Sequence, residues 1–252
     1  MQEYIETFAR IEKKYSMTEA EMYKFISKIE ARIVPDEHWK SVVNSIYFDT
    51  PDHTLIRRSM EKPVYKEKLR LRTYGGPVSD TTQAFAEIKK KYKGCVYKRR
   101  VDGTYRELFN WLSGEGPCPG DSQIHREIDY FINRYETINP SMQIGYKRLA
   151  YVLKEDPSIR ITFDKDVIYR DHGLEKDGSA YGTRLLDPDT ILMEVKVSTK
   201  AIPAWLAREI SESGIMPSSI SKYGTAFSMT MNPGGFFIHN TDLVSKRYNT
   251  NV

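Results

Sequence analysis

The chain has 252 residues, 40% of them hydrophobic and 29% charged, which provides for one sizeable core and excludes a disordered polymer. A net charge of +4 is too small to mark a nucleic-acid partner, so where the 38 basic residues sit matters more than their sum. Cys95, Cys118 and the five histidines show neither zinc spacing nor a disulfide framework. No run approaches the roughly 18 apolar residues of a membrane span, and the polar N-terminus lacks the apolar core of a signal peptide. A cytoplasmic protein with no membrane segment is expected.

In chain order, residues 5–15 alternate as a first strand. Thr18 with Glu21 three residues on forms a capping box that opens an amphipathic helix through Met22, Phe25, Ile26, Ile29 and Ile33. SVVNSIYFDT predicts a second strand stopped at Pro51, where Asp49, Pro51 and Asp52 suit a turn better than a ligand set, and a short helix over 52–59. Strands over 63–74, 82–92 and 95–101 come next, then helices over 104–113 and 122–136. Strands return over 142–153, 158–164 and 190–198, with a short one at 166–170. A helix starts at Pro203, and ISKYGTAFSMTM predicts a last short helix. Seven or eight strands, mostly sequential neighbours with helices between them, predict an α+β fold. Its architecture would be an antiparallel β-barrel of about eight strands, closed or nearly closed, with flanking helices. With no internal repeat and no linker, one domain over 1–231 and a tail over 232–252 are expected.

The strands share an unusual face. In KPVYKEKLRLRTYGG, Lys66, Lys68, Arg70 and Arg72 alternate with Tyr65, Leu69, Leu71 and Thr73. The same period places Arg10, Glu12 and Lys14 together, then Glu87, Lys89 and Lys91, then Lys98 and Arg100. Later strands add Arg148, then Arg160 with Asp164, then Glu194 with Lys196. A sheet with one wet face would explain any single strand. Closure of the sheet would instead gather these cations inside, where buried charge needs a partner, and a polyanion is the partner implied. So much arginine favours phosphate, whose oxygens fit its fork of donors. The interspersed carboxylates make sense if hard divalent cations, Mg²⁺ or Mn²⁺, bridge them to phosphate. Such a set describes phosphoryl transfer without a Walker loop, since neither Gly75-Gly76 nor the GEG at 114–116 is followed by Gly-Lys-Ser/Thr. RNA is disfavoured because few aromatic residues stand on the basic faces.

The segments RIEKKY, SIYFDTPD, KLRLRTYG, EIKKKYKG with YKRR, YKRLAY, RITFDKD, LMEVKV with PAWL, and SKYGTAF occur in order along about 220 residues. Together they resemble the catalytic domain of the vacuolar transporter chaperone family, the eukaryotic polyphosphate polymerase with its soluble bacterial relatives. That family lies within the triphosphate tunnel metalloenzymes. The resemblance implies that Arg70, Arg72, Lys89, Arg148, Arg160 and Lys196 act on the reacting phosphates. It also implies that Arg10, Lys14, Arg100 and Lys222 bind substrate. Glu194 would be the principal metal ligand, with Glu12 and Glu87 beside it, and the metal Mn²⁺ or Mg²⁺. The common Glu-x-Glu-x-Lys signature of the first strand has Arg10 in place of its first glutamate, a departure the polymerase branch shares.

Three functions follow from such a site. In the first, the γ-phosphoryl of ATP passes to a growing polyphosphate chain inside the tunnel. In the second, water is the acceptor and the protein is an inorganic triphosphatase. In the third, the tunnel binds polyphosphate without catalysis. ATP with polyphosphate or triphosphate would be the partners, and nucleic acid would not.

Overall fold

The structure is a computed structural model, and it describes residues 11–93, 95–174, 181–197 and 201–232. The expected start of the first strand and the tail beyond 232 lie outside these residues. β1 (Ile11–Thr18) runs directly into α1 (Glu19–Ile29), whose capping box is formed: the Thr18 hydroxyl accepts from the Glu21 amide, and the Glu21 carboxylate accepts from the Thr18 amide. β2 (Ile33–Asp49), α2 (Thr54–Met60), β3 (Tyr65–Tyr74), β4 (Gln83–Tyr92) and β5 (Cys95–Thr104) follow. Next come α3 (Tyr105–Leu112), α4 (Gln123–Arg134), β6 (Asn139–Leu153) and β7 (Arg160–Arg170). β8 (Thr183–Arg184), β9 (Thr190–Val197), α5 (Ala204–Glu212), β10 (Met216–Pro217) and α6 (Lys222–Met231) complete the order.

All pairings are antiparallel, in the order β10-β1-β9-β7-β6-β2-β3-β4-β5, with β8 on β7. Eight strands are long and two have only two residues, so the expected eight-stranded α+β architecture is present. Its closure differs from a ladder all the way round: among the described residues no backbone pairing joins β5 to β1. The sheet curls so that β1 comes within side-chain reach of β4, the strand next to the β5 end, with Lys89 of β4 reaching Glu12 of β1 at 3.3 Å.

Period-two alternation decides what lies on each side of the curl. Leu69, Leu71, Ala84, Ala86 and Ile88 point outward under α3 and α4, against Leu108, Phe109, Trp111, Ile128 and Phe131. Ile161, Phe163, Met193 and Val195 meet Met22 and Phe25 of α1 and Leu206 of α5. Val43, Met142 and Ile144 meet Ile56 of α2 and Phe227 of α6. The core therefore lies between the convex face of the sheet and its helices, and each fully buried apolar side chain there contributes about 1.5–3 kcal/mol. The concave face is left to the charges.

Four local features depart from the expected elements. β2 begins at Ile33, because residues 33–35 pair with Tyr151–Leu153 of β6 before a bulge at Lys40. The expected strands at 158–164 and 166–170 are one strand, bent at Asp166, where φ is +52° and the register on β6 shifts. β8 and β10 arise only as partners for strands already in place. Tyr65 is 40% exposed rather than core, its hydroxyl donating to Glu67. The turn read into DTPD is present: the buried Asp49 carboxylate accepts from the Leu55 and Ile56 amides at 2.8 and 2.9 Å and caps α2.

Candidate functional site

The curled sheet encloses a cavity of about 2510 Å³ lined by residues of every long strand and by α6. Among the described residues, fifteen Lys and Arg line it against four Asp and Glu. Every expected site residue except Arg10, which lies outside the described residues, faces this one cavity.

The register sets the levels along the cavity. On β3 the cations stand in sequence: Lys66 is level with Lys91, Lys68 with Lys89, Arg70 with Glu87, and Arg72 with Phe85. β5 continues these rows with Lys98 beside Lys89 and Arg100 beside Glu87. On the other side Lys196 is level with Glu12 and Arg160, and Glu194 with Lys14 and Thr162.

The protein's own carboxylates answer much of this charge. Glu87, only 1% exposed, accepts from Arg70 Nε at 2.6 Å and lies 2.6 Å from Lys98 and 3.8 Å from Arg72. Burial alone would raise its pKa, but Arg70, Arg72 and Lys98 hold it well below the usual carboxylate range. Burial in turn pushes the Lys98 amine down to about 8, against the pull of Glu87. Asp164 is buried and takes both Nε and Nη2 of Arg148, at 2.6 and 2.8 Å, as well as Lys222 Nζ at 2.6 Å. Glu194 lies 3.1 Å from Lys196 and 3.6 Å from Lys14. Burial opposes its ionisation, yet Lys196, Lys222, Lys14 and Arg148 keep it well below the ordinary carboxylate value. Arg160 pairs with Asp36 at 2.6 Å.

Convergence of cations therefore does not by itself demand a ligand, since Glu12, Asp36, Glu87, Asp164 and Glu194 compensate most of the centre. Three cations without such a partner stand together on β3 and β4. Lys66, Lys68 and Lys91 have no carboxylate at ion-pair distance among the described residues. Lys66 donates only to the Ser59 carbonyl, and Lys68 sits over the Tyr223 ring. Burial pushes the Lys68 amine down to about 8, and neighbouring Lys66, Lys14 and Lys89 act in the same direction. Arg100 likewise has no carboxylate and lies over the Phe85 ring.

Anchoring leaves specific atoms for a ligand. Arg70 and Arg72 are each held at Nε, by Glu87 and by the Ser45 hydroxyl at 3.1 Å, which leaves their terminal nitrogens, apart from Arg70 Nη1 on the Tyr47 hydroxyl, without a hydrogen bond among the described residues. Lys222 opens α6 behind its Ser221 cap, so a helix N-terminus also faces the cavity. Among the described residues no three His, Cys, Asp or Glu side chains come together as a metal cage. Glu12 and Glu194 influence each other, whereas Glu87 is occupied by three cations on the opposite wall. Glu194 with Glu12 suits Mg²⁺ or Mn²⁺, which needs only one or two carboxylates when phosphate oxygens supply further ligands.

Sequence reasoning left Asp36, Tyr47 and Tyr146 out of the site, and it placed Asp164 and Lys98 on the charged face without giving either a role of its own. Asp164 and Lys98 had a signal, since each follows the alternation of its strand. Asp36 had none, because Pro35-Asp36-Glu37 does not read as a strand.

A solved structure of a candidate adenylate cyclase from Bacillus halodurans is 12% identical, with a TM-score of 0.54, covering 84% of this chain and 95% of that one. A counterpart from Vibrio parahaemolyticus, also 12% identical, has a TM-score of 0.48 and covers 87% of this chain and 98% of its own. At such identity the first likeness speaks for the fold alone. No curated protein matches the chain. The VTC domain model matches residues 9–231, the whole span from the first strand to the end of α6. The chain thus belongs to the VTC domain family.

Proposed function

We propose that the protein is a polyphosphate polymerase that moves the γ-phosphoryl of ATP onto the end of a phosphate chain lying in the cavity. The observation that supports this reading is the acid-free group of Lys66, Lys68 and Lys91 that extends from the charge-compensated centre. A triphosphate needs only the centre, whereas a longer anion gains by continuing over uncompensated ammonium groups.

In this reading the terminal oxygen of the chain attacks the γ-phosphorus, a new P–O–P bond forms, and the bond to the β-phosphate breaks to release ADP. The attacking oxygen is already anionic, so no side-chain base is required. Arg70 and Arg72, fixed at Nε, hold non-bridging oxygens in place and meet the charge that spreads over them in the transition state. Lys89 and Lys196 shift from Glu12 and Glu194 towards phosphate, and Arg148 and Lys222, locked on Asp164, keep one wall rigid. A divalent cation held by Glu194 and Glu12 would neutralise phosphate charge.

The test is to incubate the protein with ATP and Mn²⁺ and to separate the products by length. Long chains with ADP are expected, shortened when Lys66 and Lys91 are both changed to alanine. Free phosphate without chains would make the protein a triphosphatase, and no turnover would leave a binding module.

A further inference from the structure

Tyr47 stands in the middle of the cationic wall and belongs to none of the roles so far assigned. Its register partner on β3 is Arg70. Arg70 Nη1 donates to the phenol oxygen at 3.2 Å, and the guanidinium lies 5.9 Å from the ring centre. The ring stacks on Tyr223 of α6 with centroids 4.4 Å apart and planes at 21°. This stack and the β2 backbone fix the phenol so that it lines the cavity. The oxygen accepts from Arg70, and the O–H itself has no protein acceptor among the described residues.

We propose that Tyr47 is a phosphate-contacting residue that donates its hydroxyl proton to a chain oxygen held by Arg70, and that it takes up that proton when the polyanion binds. This rests on the reading that the cavity holds a phosphate chain.

The charges around the phenol decide its behaviour. From β3 it faces Arg70, Arg72 and Lys68; from α6 it faces Tyr223, whose own hydroxyl donates to the Asp49 carboxylate at 2.8 Å. Tyr146 of β6 shares the Arg70 field. Burial would raise the Tyr47 pKa, but Arg70, then Arg72 and Lys68, pull it down to about 8. Tyr223 titrates in the other direction, raised by burial and by Asp49, so it stays protonated. In the free protein above that pH, Tyr47 is a phenolate that serves as a counter-ion to Arg70 and Arg72, since the Lys68 amine, itself pushed down to about 8, loses its charge over the same range. A phosphate chain brings its own negative charge to the same cations. The phenolate is then no longer favoured, a proton enters from solvent, and the neutral phenol is a donor where an anion needs one.

The experiment is calorimetric titration of inorganic tripolyphosphate into the protein, just above the pH of about 8, in buffers of different ionisation enthalpy. Proton uptake is expected on binding, smaller in Tyr47→Phe by about half a proton per bound anion while binding weakens several-fold; the Lys68 and Lys98 amines, also pushed down to about 8, supply the uptake that remains. Wild-type protein gives a second reading: its near-ultraviolet phenolate band should begin to rise near pH 8 and shift to higher pH when tripolyphosphate saturates it. Binding with equal proton uptake in Tyr47→Phe, or a phenolate band indifferent to tripolyphosphate, overturns the assignment and leaves the proposed function standing. Failure of tripolyphosphate to bind the wild-type protein overturns both.

Discussion

Glu87 and Glu194 are both carboxylates among cations, yet their surroundings set different consequences for the same substitution. Glu87→Gln leaves Arg70, Arg72 and Lys98 together without their counter-ion, and loss of one partner from a buried pair costs about 3 kcal/mol. Glu194→Gln should instead keep most of the stability, since Lys14 and Lys196 are partly exposed and Lys14 also donates to the Ile220 carbonyl, but it should lose most of the turnover and its metal dependence. Thermal melts beside turnover assays separate the two, and a fully active Glu194→Gln would remove the metal role. Both carboxylates titrate below their ordinary value of 4.5 in the folded protein. The stability they contribute is complete above that value and is lost as pH falls through the lower folded values, so melting temperature should drop steeply in acid. In Glu87→Gln that drop should be shallower. These acids were legible in the sequence, because alternation within a strand fixes which side chains share a face. Which acid answers which cation was not legible, because it depends on pairing across strands far apart in the chain.

β2 shows the same division at the level of an element. Its second half, SVVNSIYFD, announces itself by β-branched and aromatic residues. Its first half, IVPDEHWK, has the composition of a loop and becomes a strand only because β6 lies alongside. That half carries Asp36 to Arg160, 2.6 Å away and over a third exposed, so the expected phosphate ligand is occupied by an internal competitor. Asp36→Asn should release Arg160 and tighten tripolyphosphate binding about fivefold, the equivalent of an exposed ion pair worth about 1 kcal/mol. Unchanged affinity by titration would place Arg160 outside the site. β7 teaches a related point: the sequence breaks after Asp164 into two apparent strands, but a positive φ at Asp166 and a register shift let one strand pass through.

At the scale of the whole molecule, a core on the convex face and charge on the concave face follow from one alternation repeated in eight strands. This is why the architecture could be read from sequence before any contact was known. Whether the ladder closes could not be read, because closure is set by strand stagger rather than by which face is apolar. The answer is a wall of two kinds. Elsewhere the strands are laced by backbone hydrogen bonds, but among the described residues β1 meets the far side of the sheet through side chains, Lys89 of β4 reaching Glu12. Lacing yields to denaturant, whereas a latch of opposite charges yields to salt, over a screening length of roughly 10 Å at 0.1 M. A latched wall does not oblige its guest to arrive end first. A phosphate ring too wide for either mouth, with no end to thread, should still displace bound tripolyphosphate, and more rapidly as salt loosens the seam. Exclusion of the ring at every salt concentration would mean that the seam stays shut and the only way in is along the axis.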